Sequence, residues 1–260
     1  MKRSLLLVLL LATISGSAMA WGKLGHDAVV AVAQRHLTEK AKANIVKYMN
    51  YDLKEESVWM DKHRWDKEIA YTTHYHVFAC DAQGEYDPNP RLSKGGDTVY
   101  AINLADYNLS QYERLTDSAV VMNLRMILHF VGDMHCPVHA HPEGKNTAWP
   151  CEFNGKQWKK FHAIYDRLPE MLYGKDVNPD ALAAELDNCK KGEIRKIQGG
   201  TLLDWSRDCI AQNLSIYDIN PFQATQLATD TVERSRDVIA RQLRNAGYRL
   251  AYCLNKYFDK

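Results

Sequence analysis

Apolar residues recur along most of the chain every three to four positions, which is the spacing of one face of an α-helix. Val29, Val30, Val32 and Ala33 share such a face near the start. Thr38 and the pair Asn178-Pro179 are typical of helix N-termini. We therefore predict an all-α (mainly α) protein. Helices are predicted over residues 27–37, 38–48, 56–67, 97–114, 117–135, 157–173, 201–213 and 222–257, and a further helix is predicted to begin at Asn178. Residues 71–79 are predicted as a short strand and residues 84–96 as a loop.

The predicted helix over residues 117–135 carries the first candidate site. His129 and Asp133 are four residues apart, which places an imidazole and a carboxylate on one face, one turn apart. Pro137 is expected to end the helix, so that His139 returns from a loop. A buried helical histidine is as often a hydrogen-bonded core residue as a metal ligand, and this segment alone leaves both interpretations open.

A second copy of the spacing favours metal binding. His162 and Asp166 repeat the His-x-x-x-Asp pattern on another predicted helix. With Asp61, His76 and His26, the candidates comprise five imidazoles and three carboxylates, a donor set that suits zinc. The six cysteines contain no Cys-x-x-Cys pair that would indicate a thiolate site.

Residues 1–20 have the features of a secretory signal peptide. Lys2 and Arg3 precede an apolar run, and Ala18 and Ala20 form a cleavage site of the Ala-x-Ala type. Cleavage would give Trp21 a free amine, which can chelate a metal together with its own carbonyl oxygen and His26. The alternative is that Trp21 is simply a buried aromatic residue at a chain end.

Composition then limits the function classes. Residues 21–260 contain no linker or repeat and suit a single domain. Cleavage removes two of the 33 basic residues and leaves 31 against 32 acidic ones, so the mature protein is not a basic polyanion binder. Export favours disulfides among the six cysteines, but the sequence does not select the pairing.

Motifs over nearly the whole mature chain carry a family resemblance. They are Trp21-Gly-x-x-Gly-His26, Trp59-x-Asp61-x-x-Arg64, His76, His129-Phe-x-Gly-Asp133-x-x-x-Pro137-x-His139, His162-x-x-x-Asp166 and Ala246-Gly-Tyr-Arg-Leu-Ala251. With them the chain resembles the secreted, zinc-dependent, single-strand-specific nucleases and 3'-nucleotidases of fungi, plants and some microbes. Those enzymes share a fold superfamily with bacterial zinc-dependent phospholipases C.

The resemblance implies a single-domain, multi-helix phospholipase C/nuclease-like fold with three zinc ions in a cleft. The implied ligands are Asp61, His76, His129 and Asp133 for one ion, Trp21 and His26 with a shared Asp133 for the second, and His139, His162 and Asp166 for the third. It further implies a monomeric enzyme without stable membrane association that cleaves single-stranded DNA and RNA, or 3'-nucleotides, through a zinc-bound hydroxide.

Asp61, Asp133 and Arg64 are the expected catalytic residues. The planar guanidinium of Arg64 suits the non-bridging phosphate oxygens, although a surface ion pair is the alternative. Familiar members carry an aromatic residue directly after the histidine that matches His76. This chain has Val77 there, so Val77 and Phe78 are the candidates for substrate contacts.

Two other functions fit part of this pattern. A phospholipase C would use the same metal scheme on a lipid headgroup, but the pairing of Asp61 with Arg64 favours a nuclease. A non-catalytic, secreted zinc-binding protein would favour closed coordination, whereas nine ligand residues shared by three ions leave open positions.

Overall fold

The computed structural model describes residues 21–50, 52–88 and 95–260, and it confirms a mainly α-helical protein. The predicted signal peptide, residues 1–20, lies outside the described residues. The α-helices are α1 Lys23–Arg35, α2 Glu39–Ile45, α3 Trp59–His63, α4 Thr98–Leu109, α5 Asp117–His135, α6 His162–Tyr165, α7 Leu168–Tyr173, α8 Pro179–Leu186, α9 Lys191–Gln198, α10 Leu202–Leu214, α11 Ile216–Ile219 and α12 Thr231–Phe258.

Helix α5 runs through the core. From Leu124 onward almost every residue is buried, because α4, α12, α1 and α3 all pack against this helix. Helices α1 and α12 approach each other closely at Gly247, where a Cβ atom would lie 2.5 Å from the Cβ atom of Val32. The apolar packing holds α5 rigidly, so the polar side chains on its C-terminal half are fixed as well.

Side-chain caps define several helix starts. The hydroxyl of Thr38 accepts a hydrogen bond from the amide of Ala41, and Asn178 accepts bonds at the start of α8. Both caps confirm the sequence prediction. Each satisfies a backbone amide that the helix itself leaves without a partner.

A small sheet joins two parts of the site. Strands β1 (Phe78–Cys80), β2 (Tyr86–Asp87) and β3 (Ala140–Pro142) are ordered β2-β1-β3, and β1 pairs in parallel with β3. Phe78 lies opposite Ala140. Since His76 and His139 come just before these two residues, the pairing brings the start of both strands, and with it both imidazoles, to one edge.

The predicted helix over residues 157–173 is wrong at its start. Strands β4 (Cys151–Phe153) and β5 (Lys156–Trp158) form a hairpin there, followed by the short helices α6 and α7. Asn154 and Gly155 occupy the turn with φ values of 51° and 72°. Asn-Gly is the preferred sequence for such a hairpin turn, and this signal was present in the sequence.

Other predicted boundaries also differ. The predicted 222–257 helix begins only at Thr231, because the preceding stretch pairs with β4 through Leu227 N–Glu152 O and Glu152 N–Thr225 O hydrogen bonds of 2.9 and 2.8 Å. The predicted helix over residues 56–67 is reduced to the short α3, which follows a 3₁₀ turn at Leu53–Glu56. The predicted helix over residues 38–48 corresponds to α2, which ends at Ile45. Within 71–79, a 3₁₀ turn precedes β1.

All six cysteines are free thiols, contrary to the disulfides predicted from export. Five of them are buried, where a cysteine packs as a small apolar side chain. Within the described ranges, no helix is both long and apolar enough to cross a membrane.

Candidate metal centre

The carboxylate of Asp133 lies at the middle of a buried polar cluster. Its Oδ2 atom is 2.9 Å from Nδ1 of His76 and 3.4 Å from Nε2 of His129. Its Oδ1 atom is 3.4 Å from Nε2 of His26. Asp133 therefore faces histidines from α1, α5 and the segment before β1, and the structure brings together the residues that the resemblance groups around it.

The first group of candidate ligands is completed by Asp61 on α3. Its Oδ1 atom lies 3.7 Å from Nδ1 of His76 and 3.8 Å from Nε2 of His129. His129 is oriented by its other ring nitrogen, since Nδ1 is 2.9 Å from the carbonyl oxygen of Ser57. A proton on Nδ1 leaves the Nε2 lone pair directed toward the carboxylates, which is the usual arrangement of a metal-binding histidine.

The second group contains His26 and the start of the described chain. The rings of His26 and His129 stack with centroids 4.2 Å apart. His26 fits against α5 only because residue 132 is glycine, where a Cβ atom would lie 2.9 Å from Nδ1 of His26. The indole of Trp21 is fully buried and donates to the carbonyl oxygen of Gly132 at 3.0 Å. Trp21 and His26 thus lie against the same turn of α5 as Asp133.

The third group brings His139, His162 and Asp166 together. The Nε2 atoms of the two histidines are 3.0 Å apart, and His162 Nε2 is 3.3 Å from Asp166 Oδ1. Thr147 Oγ1 lies 2.9 Å from Nδ1 of His162 and orients that ring. The backbone amide of Gly22 donates to the carbonyl oxygen of Asp166 at 2.7 Å, which joins this group to the second.

Two residues in this region were missed by the sequence analysis. The Cys136 thiol has its ligand atom within 4.8 Å of those of His139 and Asp166. Thr147 was also missed, although it touches His162. Cys136 could have been found from the sequence, because it lies three residues before the candidate ligand His139. The contact between Thr147 and His162 depends on tertiary packing, so no signal for it was present in the sequence.

The donor atoms in these groups fit metal ions. Several are buried and have no hydrogen-bond partner among the residues that the structure describes, namely both ring nitrogens of His26, both carboxylate oxygens of Asp61, Nε2 of His76, Oδ1 of Asp133, Nδ1 of His139 and Oδ1 of Asp166. Buried polar atoms normally have partners, because leaving them unpaired costs about 1–3 kcal/mol each. Imidazole nitrogens and carboxylate oxygens at this density are a suitable set for zinc.

Comparison with known proteins decides the family. The chain matches the S1/P1 Nuclease family over residues 21–259. It belongs to the S1/P1 nuclease family. It is 24% identical to Endonuclease 4 of Arabidopsis thaliana (97% of this chain, 94% of the relative) and 21% identical to Nuclease S1 of Aspergillus oryzae (90% and 91%). It is also 25% identical to Nuclease P1 of Penicillium citrinum (91% and 97%).

Membership establishes the class of reaction. The chain is a nuclease, a hydrolase that acts on the phosphodiesters of nucleic acid. The S1/P1 family is metal-dependent, and the His/Asp groups described above are where this member can bind metal.

The ionisation of the buried groups in this S1/P1 nuclease also suits cations. Burial lowers the pKa of His139 to about 3, which keeps the imidazole in the neutral form that binds metal. Burial alone would lower the pKa of His129, but the carboxylates of Asp133 and Asp61 outweigh it and raise that pKa to about 9. The position beside these two carboxylates therefore favours positive charge.

A cleft of about 160 Å³ opens at the third group. Its lining residues are Arg64, His76, Val77, His139, His141, Asn146, Thr147, Ala148, Lys160 and His162. Arg64 NH1 is 3.8 Å from Asp61 Oδ1, so the guanidinium lies between the first group and the cleft. Val77 lines the cleft as predicted. Phe78 does not: its side chain is fully buried in β1, which corrects the prediction that it contacts substrate.

Proposed function

We propose that this S1/P1 nuclease is an exported, zinc-dependent endonuclease that cuts single-stranded DNA and RNA to 5'-phosphate products and also acts as a 3'-nucleotidase. The observation that carries the proposal is that three adjoining groups of buried His and Asp side chains hold several donor atoms without a hydrogen-bond partner among the described residues, and that the first and third groups line one narrow cleft through His76, His139 and His162. Buried donors explain metal binding, and the cleft explains access for a single phosphodiester.

Three zinc ions would be held by the residues of the three groups. The first set is Asp61, His76, His129 and Asp133, the second is Trp21 and His26 with the shared Asp133, and the third is His139, His162 and Asp166. When bound, zinc supplies a Lewis acid for phosphate oxygens and lowers the pKa of a water molecule toward neutrality.

The chain itself positions the substrate. Arg64 and Lys160 are the cationic residues among those that line the cleft, and the planar guanidinium can donate two parallel hydrogen bonds to the non-bridging oxygens of one phosphate. A hydrogen bond to the main chain keeps this side chain in place, because Nη2 of Arg64 donates to the carbonyl oxygen of Thr73 at 3.4 Å. Arg64 thereby holds the phosphate beside Asp61.

Strand preference follows from the size of the cleft. A volume of about 160 Å³ is too small to enclose a base pair. A nucleotide inside a duplex would have to leave its stack to reach the histidines, at a cost of a few kcal/mol, whereas a single strand avoids most of that cost. With Val77 in place of an aromatic side chain, base stacking at this position is weak, and we propose that cleavage has little base preference.

Export is proposed from residues 1–20. Removal of this segment would free the amine of Trp21, whose indole lies against the turn of α5 that carries Asp133. The buried indole of Trp21 keeps the first residue of the mature chain in that position. On this proposal, the nitrogen of Trp21 is part of a peptide bond as long as the leader is uncut. It then cannot serve as an amine ligand, and the second group lacks one of its donors.

The test compares protein that begins at Trp21 with protein that carries one extra residue before it. Nucleotide release is measured with zinc from single-stranded DNA, from RNA, from a duplex of the same sequence and from 3'-mononucleotides. We expect the authentic form to cut both single strands, to spare the duplex and to be strongly impaired by the extension.

Other results revise specific parts of the proposal. Equal cutting by both forms removes the amine from the ligand set. Equal cutting of duplex and single strand removes the strand preference. Release of diacylglycerol from phosphatidylcholine, with no nucleotide release, replaces the nuclease assignment by that of a phospholipase C.

A further inference from the structure

Cys136 lies at the turn that joins α5 to the third group of candidate ligands. Its amide donates to the carbonyl oxygen of Asp133 at 3.0 Å, and its own carbonyl oxygen accepts from the amide of His139 at 3.0 Å. The side-chain amide of Asn213 donates to the same carbonyl at 3.2 Å. Pro137 stiffens the turn. The backbone therefore holds Cys136 and His139 in fixed positions.

The thiol lies where the apolar core meets the third group. Cys136 is fully buried and packs with the core, and its sulfur lies within 4.8 Å of ligand atoms of His139 and Asp166. Nδ1 of His139 and Oδ1 of Asp166 are among the buried atoms that have no hydrogen-bond partner among the described residues. In the described part of the chain, no other cysteine belongs to such a group.

We propose that the sulfur of Cys136 is a ligand of the ion held by the third group. The inference rests on the proposed function, because it concerns the same centre, and it changes the donor set from His139, His162 and Asp166 to a set of four with one sulfur. On binding, the S–H bond breaks, the sulfur–metal bond forms and the proton passes to solvent.

A sulfur ligand has consequences for metal choice. Thiolate is a soft ligand that selects zinc over magnesium, calcium or manganese. The groups around Asp133 contain only oxygen and nitrogen donors, and they discriminate less strongly between these metals. Four protein donors also leave fewer open positions than three. The third ion is therefore expected to be the most tightly held of the three and the last one removed by a chelator.

Cobalt substitution tests the ligand directly. Protein that begins at Trp21 is stripped of metal, loaded with Co²⁺ and examined by absorption spectroscopy for the near-ultraviolet sulfur-to-cobalt charge-transfer band. We expect the band in the wild type, its loss in Cys136→Ser and its retention in Cys151→Ser. Cys151 is a suitable control because it is equally buried but lies in β4.

X-ray absorption of the zinc-loaded wild type provides a measurement without substitutions. A sulfur neighbour near 2.3 Å is expected in addition to nitrogen and oxygen neighbours near 2.0–2.2 Å. In zinc competition titrations, Cys136→Ser should lower the affinity for one of the zinc ions by roughly 100-fold or more. Substitution of a group that only orients a ligand typically lowers metal affinity by about 10–100-fold.

The outcomes separate this inference from the proposed function. Bound metal with nuclease activity but no sulfur signal overturns the role of Cys136 and leaves the nuclease proposal standing. A sulfur band that persists in Cys136→Ser also overturns it. Failure of the wild type to bind any metal overturns both proposals.

Discussion

Nδ1 of His129 lies 2.9 Å from the carbonyl oxygen of Ser57, and the hydroxyl of that same serine donates to Asp27 Oδ1 at 2.6 Å. Asp27 is on α1, next to His26 in sequence. One buried serine thus connects the helix that carries His26 to the ring of His129. This contact fixes which nitrogen of His129 carries the proton and which is free to bind metal.

Ser57→Ala is expected to weaken zinc binding by about 10–100-fold, because the carbonyl that orients His129 loses its anchor to Asp27. Competition with a chromophoric chelator measures this affinity. Ser215→Ala is the matched control, since Ser215 Oγ bonds only the Gln212 carbonyl oxygen at the end of α10. Equal affinities in the two variants would show that the Asp27–Ser57 contact does not orient the ligand.

Asp133→Asn is expected to reduce bound zinc from three ions to one and to abolish hydrolysis. The reason is that the carboxylate faces both His26 and the pair His76/His129. Metal content by mass spectrometry under native conditions and nucleotide release are measured on the same sample. Asp218→Asn, at an exposed position, should change neither. Full metal content in Asp133→Asn would contradict the idea of a shared ligand.

Gly132→Ala and Gly247→Ala are expected to fail in different ways. A Cβ atom at residue 132 meets the ring of His26 at 2.9 Å, so zinc affinity should fall while the metal-free fold is retained. A Cβ atom at residue 247 meets Val32 at 2.5 Å, and overpacking between α1 and α12 should destabilise the fold by about 1–3 kcal/mol. Melting temperatures measured with zinc and with chelator separate the two effects. Identical responses to zinc would refute the distinction.

Asp187→Asn is expected to lower stability at neutral pH by about 1–3 kcal/mol. Partial burial raises the pKa of Asp187, but hydrogen bonds from Arg35, His36 and Tyr248 outweigh it and lower the pKa in the folded state. An acid whose pKa is lowered by folding stabilises the folded state at pH values above its pKa in the unfolded chain. That stabilisation is lost as the pH falls through its pKa in the folded protein. Urea denaturation should show the two proteins converging below about pH 4. If the difference in free energy of unfolding between the two proteins stays constant from pH 7 to 3, ionisation of Asp187 is not the source of the stabilisation.

Arg64→Lys is expected to reduce kcat by about 10²–10³-fold with bound zinc unchanged, since lysine keeps the charge but loses the paired donors. Steady-state hydrolysis of a short single-stranded oligonucleotide measures the effect. Arg207→Lys, in an exposed ion pair with Glu85, is the control. An unaltered kcat would make Arg64 an ordinary partner of Asp61.

Local spacing predicted part of the site but not its assembly. His129 and Asp133 could be placed together because they lie on one helix. The approach of His26, Asp61 and His76 depends on packing between α1, α3, α5 and the β1–β3 pair, which periodicity does not encode. Those residues were candidates by residue type alone, and only the family motifs assigned them to particular ions. Cys136 was missed because such motifs direct attention to expected ligands only.

The errors in the fold have similar causes. The predicted helix over residues 157–173 includes the end of β5, because the strands of this hairpin are three residues long, too short to show a period of two. Residues 222–230 carry helix-like spacing, but their backbone bonds with β4 compete successfully with a helix. Disulfides were expected from cellular location, a criterion that says nothing about the distance between two thiols.

With Asp133 as a shared ligand, as proposed above, the occupancies of two ions would be linked. If one carboxylate serves both, an ion at either position changes the affinity of the other, and the factor is the same in both directions. The second ion meets a carboxylate whose charge is already partly neutralised, so it binds more weakly than the first. Activity would then rise with free zinc only after the tighter position is filled, and half-loaded, inactive molecules would persist over a range of zinc concentrations. Under the proposed function, this arrangement makes catalysis a graded sensor of zinc supply.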